Sequence, residues 1–423
     1  MVATDILTIG TLIGTIVLIV YRPGGLNEGV AAGLGAGVVL LLGTAHLADA
    51  WNGTVATAGV LAFLIAMMVV ATVAEESGCF EWAAERALRL SRGNTRALFL
   101  NLYLLGALVT VFLSLDVTAI MVAPVVCALI RRVRLEPVPF VLASAYVANT
   151  ASLFLPVSNL TNMLVYSLLA VPFGAFVRLM LLPNLAAMLV NIVVFLVLFR
   201  EDLPRRFELP VRATLSSDDD KQMRLAAIGL GLVILGLTVF GALGWPLFVP
   251  AIAGAIGLGT VSVVRGDVSA QRLLDSVAWS LPLFVIGMYT ILVAASNAGL
   301  GTLWQSFFID GNGSPSLLAL VRVSLGTALG ANLVNNLPAA LVIITSIASA
   351  PQVSRLPIAF AGLIGTNIGA NVTVFASLAT MLVLTAARRY GYTISAGQFF
   401  RVGVITVPLM TIVATCVLWL MIR

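Results

Sequence analysis

Leu113-Ser114-Leu115-Asp116-Val117-Thr118-Ala119-Ile120-Met121-Val122 is the stretch on which the fold turns. It lies in a run that is otherwise apolar over residues 97–130, and Asp116 is the only carboxylate in the middle of any apolar segment. A mid-membrane Asp costs roughly 2.5–3.5 kcal/mol unless it faces a cavity or a partner. Half a chain later, Leu333-Val334-Asn335-Asn336-Leu337-Pro338-Ala339-Ala340-Leu341-Val342 echoes it inside a second long run, residues 316–350. The two stretches read as matching halves of one buried polar site.

A segment around such residues implies a bilayer, and composition agrees. The 423 residues are 60% hydrophobic and only 10% charged, with a mean hydropathy of +1.09. Soluble domains carry about 25% charged residues. The chain is therefore expected to be an all-α polytopic membrane protein, and no cleavable leader is evident at its start. The net charge of +5 does not point to nucleic acid, because the basic residues collect in loops on one side. Cys79, Cys127 and Cys416 are far apart and His46 is the single histidine, so neither a disulfide framework nor a histidine metal site follows. No nucleotide-binding or hydrolytic motif is found, and no cofactor is implied.

A spanning helix needs about 20 apolar residues. Runs 97–130 and 316–350 exceed that, and the first is flanked by basic loops at both ends, Arg86, Arg89, Arg92 and Arg96 before it and Arg131, Arg132 and Arg134 after it. With basic loops inside, both runs read as re-entrant helical hairpins. Residues 138–170 and 356–386 read as broken spans, interrupted from Asn149-Thr150 to Asn159 and from Gly365-Thr366-Asn367 to Thr373. About ten spans plus two hairpins satisfy nearly every loop, with Arg178, Arg322 and Arg355 as exceptions. Residues 80–90 and a counterpart near 300–309 look amphipathic and interfacial.

An internal repeat supports this. At an offset of 220, Met68 meets Met288, Leu113 meets Leu333 and Asp116 meets Asn336; at 218, Asn149 meets Asn367 and Met163-Leu164-Val165 meets Met381-Leu382-Val383. The predicted organisation is an N-terminal repeat over 1–199, a cytoplasmic linker over 200–224 carrying Asp218-Asp219-Asp220-Lys221, and a C-terminal repeat over 225–423. Five crossings between equivalent points invert the second repeat, as in secondary transporters.

Non-helical backbone inside a bilayer must be buried in protein or line a watery cavity. The candidate substrate site is thus Ser114, Thr118, Asn149, Thr150, Ser158 and Asn159 from the first half, with Asn335, Asn336, Thr366, Asn367, Asn371 and Thr373 from the second. Ser152, Asn162, Asn332 and Ser377 stand near them. Hydroxyls and amides without Lys or Arg suit a small, neutral, polyhydroxylated solute. Asp116 suits a group that takes up and releases one proton per cycle. The competing reading of each Ser, Thr or Asn is glue between membrane helices, about 0.6 kcal/mol apiece.

Several segments resemble the arsenite/antimonite efflux permease family, within the ion-transporter superfamily that includes the divalent anion/sodium symporters. They are Glu76-Ser77-Gly78-Cys79-Phe80-Glu81-Trp82-Ala83-Ala84, Asp116 with its hairpin arm, Thr150-Ala151-Ser152-Leu153, Val157-Ser158-Asn159-Leu160, Asn335-Asn336-Leu337-Pro338 and Ser377-Leu378-Ala379-Thr380-Met381-Leu382. The resemblance implies a multi-pass protein of the prokaryotic cytoplasmic membrane. Its implied activity is expulsion of arsenite and antimonite in exchange for protons, and some members also work with an ATPase subunit. Where the family's pattern has an Asn-Asp pair, this chain has Leu115-Asp116. Where it has two further Asp and a Lys, Asn149, Asn367 and Asn371 stand. The alternatives are a sodium- or proton-coupled dicarboxylate-type importer, a sodium/proton antiporter and a non-transporting scaffold or receptor.

Overall fold

The computed structural model describes residues 2–21, 23–208, 217–299, 315–347 and 352–423, and among these every regular element is helical. Among the described residues, seven helices are long and apolar enough to cross a membrane, and three shorter apolar helices accompany them. The protein is an all-α, multi-pass membrane protein. The expected amphipathic piece near 300–309 lies outside the described residues.

In the first half, α1 (Val2–Tyr21), α2 (Glu28–Leu41) and α3 (Leu47–Glu76) lead into the short α4 (Cys79–Leu90). On α4, Phe80 and Leu88 are buried while Trp82 is 47% exposed, the division expected of an interfacial helix. The first hairpin follows as α5 (Thr95–Phe112), a break at Leu113-Ser114, then α6 (Leu115–Val117), a π-helical turn (Thr118–Val122) and α7 (Ala123–Val133). Next come α8 (Pro137–Ala151), a 3-10 turn at Pro156–Ser158, α9 (Leu160–Leu168) and α10 (Phe173–Leu198).

The second half repeats the order. α11 (Ser217–Leu243), α12 (Phe248–Val264), α13 (Ala270–Asp275) and α14 (Ser280–Asn297) precede the second hairpin, α15 (Leu317–Val334) and α16 (Asn336–Ile347). The second broken span is α17 (Gln352–Gly369), a 3-10 turn at Val374–Ala376 and α18 (Leu378–Arg389); α19 (Ala396–Ile422) closes the chain. The two 3-10 turns stand 218 residues apart, as do the starts of α9 and α18.

Three boundaries differ from expectation. Asn149 and Thr150 belong to the last turns of α8, so the first interruption begins only after Ala151. The second does not open at Gly365: α17 runs unbroken through Gly365, Thr366 and Asn367 to Gly369. The reason is packing. A Cβ at Gly365 would overlap the Ser324 carbonyl and Thr327 Oγ1, and one at Gly369 would overlap the Ala328 backbone, so these glycines let α17 lie directly against α15. Finally, Asp218-Asp219-Asp220-Lys221 is not loop, because α11 starts at Ser217.

Aromatic packing fixes the helices behind the first hairpin. Phe99 of α5 meets Phe140 of α8 at 5.9 Å between ring centroids, and Tyr146 of α8 meets Phe195 of α10 at 5.0 Å and Phe399 of α19 at 5.3 Å. Ion pairs decorate one end of the bundle. Glu85 of α4 pairs with Arg132 of α7, and Arg272 of α13 reaches Glu76 at 2.8 Å and Glu75 at 3.4 Å.

Candidate functional site

Each helix break exposes the start of a new helix, and four such starts converge. Ser114 caps α6, its Oγ accepting from Val117 N at 3.2 Å. Asn159 caps α9, its Oδ1 accepting from Thr161 N at 3.1 Å. Asn335 precedes α16 and Ser377 precedes α18. First-turn residues of all four line a single cavity of about 130 Å³: Leu115 and Asp116, Asn159 and Thr161, Asn336 and Leu337, Ser377 and Leu378. Two starts come from each half, and Asp116 and its repeat counterpart Asn336 both line the cavity. Helix starts bring unpaired N–H groups and about half a positive charge each, screened where water enters.

Asp116 sits in the first turn of the second hairpin arm, partly exposed to this cavity. The π-helical turn follows it at once, with Ala123 N donating to the Thr118 carbonyl; such turns concentrate at functional sites. Thr118 itself turns inward, sharing a 2.7 Å hydrogen bond with Thr110 Oγ1 across the hairpin. At the second tip Asn335 holds φ 77° and ψ 155°, a backbone region that costs a non-glycine residue about 1–3 kcal/mol. Its Nδ2 donates to the Phe375 carbonyl at 3.1 Å, tying the hairpin to the second broken span.

The other predicted residues lie behind the cavity wall, and Asn149, Thr150, Asn367 and Asn371 hydrogen-bond across the two halves. Asn149 Nδ2 donates to Asn371 Oδ1 at 2.9 Å and to Thr380 Oγ1 at 3.0 Å. Asn371 Nδ2 donates to Thr150 Oγ1 at 3.3 Å. Asn367 Oδ1 accepts from Thr161 Oγ1 at 2.8 Å and Asn159 Nδ2 at 3.1 Å, while its Nδ2 donates to Asn162 Oδ1 at 2.7 Å. Ser158 Oγ donates to the Val111 carbonyl at 2.7 Å, and Thr373 Oγ1 to Asn332 Oδ1 at 2.9 Å. Thr366 bonds only within its own helix, to the Leu363 carbonyl.

Of the twelve candidates, then, Asn159, Asn335 and Asn336 reach the cavity wall, Ser114 caps the helix that carries Asp116, Asn149, Thr150, Asn367 and Asn371 knit broken span to broken span, and Thr118, Ser158, Thr366 and Thr373 bond within their own half. Two of the buried polar atoms without a partner among the described residues belong here: Ser377 Oγ, on a cavity-lining residue, and Asn149 Oδ1. Thr161 and Glu28 also line the cavity and were not singled out from sequence. Thr161 was visible as the polar residue in the first turn after Asn159; Glu28 read as the ordinary acidic start of a helix. Among the described residues no group of His, Cys, Asp and Glu is placed to hold a metal ion.

Outside the bilayer segments one thiol is perturbed. Burial raises the Cys79 thiol above its ordinary range, opposed by the Ser77 hydroxyl that donates to its sulfur at 3.2 Å.

Residues 7–421 match the profile of the family described as arsenical pump membrane protein. A protein of that name from Escherichia coli is 32% identical over 415 residues, covering 94% of each chain. A putative arsenical pump membrane protein from Bacillus subtilis is 25% identical over 419 residues, covering 93% of this chain and 95% of its own. Among solved structures, the YdaH transporter of Alcanivorax borkumensis superimposes with a TM-score of 0.63 at 14% identity, covering 88% of this chain and 86% of that one. MtrF of Neisseria gonorrhoeae, titled as one of a class of antimetabolite efflux pumps, gives 0.53 at 14% identity, covering 88% and 83%. At that identity the two share the fold.

Proposed function

This chain belongs to the arsenical pump membrane protein family, membrane transporters and not enzymes, and we propose that it expels trivalent metalloid from the cytoplasm in exchange for protons. Arsenous acid and its antimony analogue are the substrates, uncharged trihydroxy solutes at neutral pH. The observation that carries this reading is the cavity where four helix starts meet Asp116. N–H groups of the helix starts donate to the solute's oxygens. The amide oxygens of Asn335 and Asn336, with the Ser377 hydroxyl, accept from its O–H groups. No Lys or Arg is among the residues lining the cavity, which disfavours a dicarboxylate.

Asp116 couples the cycle. Protonated, it adds a donor to the wall; ionised, it is held by the positive end of its own helix. A proton entering from outside and a metalloid leaving from inside would then use the same carboxyl in turn. The halves, 1–199 and 225–423, act as inverted repeats whose amide-linked broken spans form the scaffold against which the hairpins move. An ATPase subunit is not needed for this cycle.

The test is arsenite accumulation in a bacterial strain lacking its own exporter. Expression should lower accumulation, and a protonophore should restore it. Sodium-dependent uptake of succinate, or arsenite export indifferent to the proton gradient, would defeat the reading.

A further inference from the structure

The end of the bundle that the basic loops mark as cytoplasmic carries more arginine than the fold itself uses. Residues 79–96 and 131–136 hold seven arginines against three glutamates. The two segments meet where α4 packs on α7: Glu85 takes Arg132 on one carboxylate oxygen and Arg89, at 3.5 Å, on the other. Arg86, Arg92, Arg96, Arg131 and Arg134 are exposed and pair with no acid among the described residues, though the Tyr392 phenol stands near Arg131. Of the other two glutamates, Glu81 lies toward Glu75 of α3 and Glu136 toward Tyr392.

Two turns at this corner close on arginine in the left-handed region, Arg92 at φ 51° and Arg134 at φ 54°. Glycine is the unstrained residue there, so charge is carried at some cost in backbone energy. The segment after α10 reaches the same place. Phe207 N donates to the Gly93 carbonyl at 2.9 Å, which brings up exposed Arg205 and Arg206 together with Glu208.

Beside these charges α4 shows an apolar pair. Trp82, Arg86 and Leu90 follow at four-residue steps along one stripe of the helix, with Trp82 47% and Leu90 61% exposed. The helix stands between α3 and α5, two spanning helices, and so beside lipid at headgroup level.

We propose that this corner binds the headgroup of an anionic phospholipid of the cytoplasmic leaflet. The guanidinium groups of Arg86 and Arg131 donate to its phosphate oxygens in the forked geometry that suits them. Trp82 and Leu90 lie along its glycerol and upper acyl chain. A soluble acidic partner would satisfy the charges and leave the apolar pair in water. The lipid site does not depend on what the cavity carries.

The test places the purified protein in phosphatidylcholine nanodiscs and titrates in phosphatidylglycerol brominated on its acyl chains. The signal is the part of the tryptophan fluorescence that Trp82→Phe removes. Brominated phosphatidylglycerol should quench it at lower mole fraction than brominated phosphatidylcholine does, and added salt should weaken that preference. Arg86→Gln and Arg131→Gln should each lower the preference about fivefold, with the unfolding temperature in phosphatidylcholine unchanged. Arg178→Gln, at the opposite end of α10 from this corner, should leave it as in the wild type. Equal quenching of the wild type by the two lipids, or a preference that survives both substitutions together, overturns the proposal. So does its loss when inorganic phosphate replaces chloride at equal ionic strength, which would mark a site for a soluble anion.

Discussion

Replacing Asn367 by Ala should cost more than any other single polar truncation behind the cavity. Its side chain is fully buried and makes three hydrogen bonds, all to residues of the other half: from Asn159 and Thr161, and to Asn162. Side-chain hydrogen bonds in membrane proteins average about 0.6 kcal/mol, so three amount to about 2 kcal/mol. The partners left unsatisfied in a water-poor interior push the figure upward, toward 1–3 kcal/mol for each group that finds no substitute. A 1 kcal/mol loss lowers Tm by about 2–4 °C in domains of 150–250 residues, and by about half that in a chain nearly twice as long. The expected drop is therefore about 2–4 °C. Cys127 supplies the assay, being 1% exposed in the fold, so a thiol-reactive dye reports unfolding in detergent. Thr366→Ala is the matched control, since Thr366 bonds only its own helix. If both variants melt together, the amide lattice does not hold the halves to each other.

Gly365→Ala should destabilise by about 1–3 kcal/mol through overpacking of α17 on α15, whereas Gly231→Ala, with open space around it, should not; the same melting assay compares them. Asn335→Gly should melt no lower than wild type, because relief of the positive φ offsets the lost bond to Phe375, while Asn335→Val should melt several degrees lower. The Cys79 thiol should alkylate slowly at neutral pH, its rate still climbing beyond the pH at which an ordinary thiol levels off. The sign for stability follows: the unfolded chain gives up this proton first, so stability falls as pH rises through the ordinary thiol range, and Cys79→Ser should flatten that alkaline fall.

The long apolar runs made the architecture legible. Their length and the polar residues near their middles required hairpins and broken spans, and the Asp116–Asn336 pairing marked where the halves correspond. The exact breaks were not legible. Gly365 looked like punctuation because glycine commonly ends helices, yet its use is close approach, which depends on Ser324 and Thr327 across the gap. The division of the asparagines was hidden for a similar reason. A buried amide reads alike whether it faces a solute or another amide, and only the partner, some 205 to 222 residues away, decides. Glu28 reads in the sequence as the ordinary acidic start of a helix, and only the cavity that α2 borders places it on the wall.

The decisive measurement is the proton movement that accompanies arsenite in proteoliposomes loaded with a pH-sensitive dye, for wild type and Asp116→Asn matched for unfolding temperature. An imposed arsenite gradient should drive protons the opposite way through the wild type and drive none through Asp116→Asn. Equal proton movement in both would mean that metalloid and proton do not share this carboxyl.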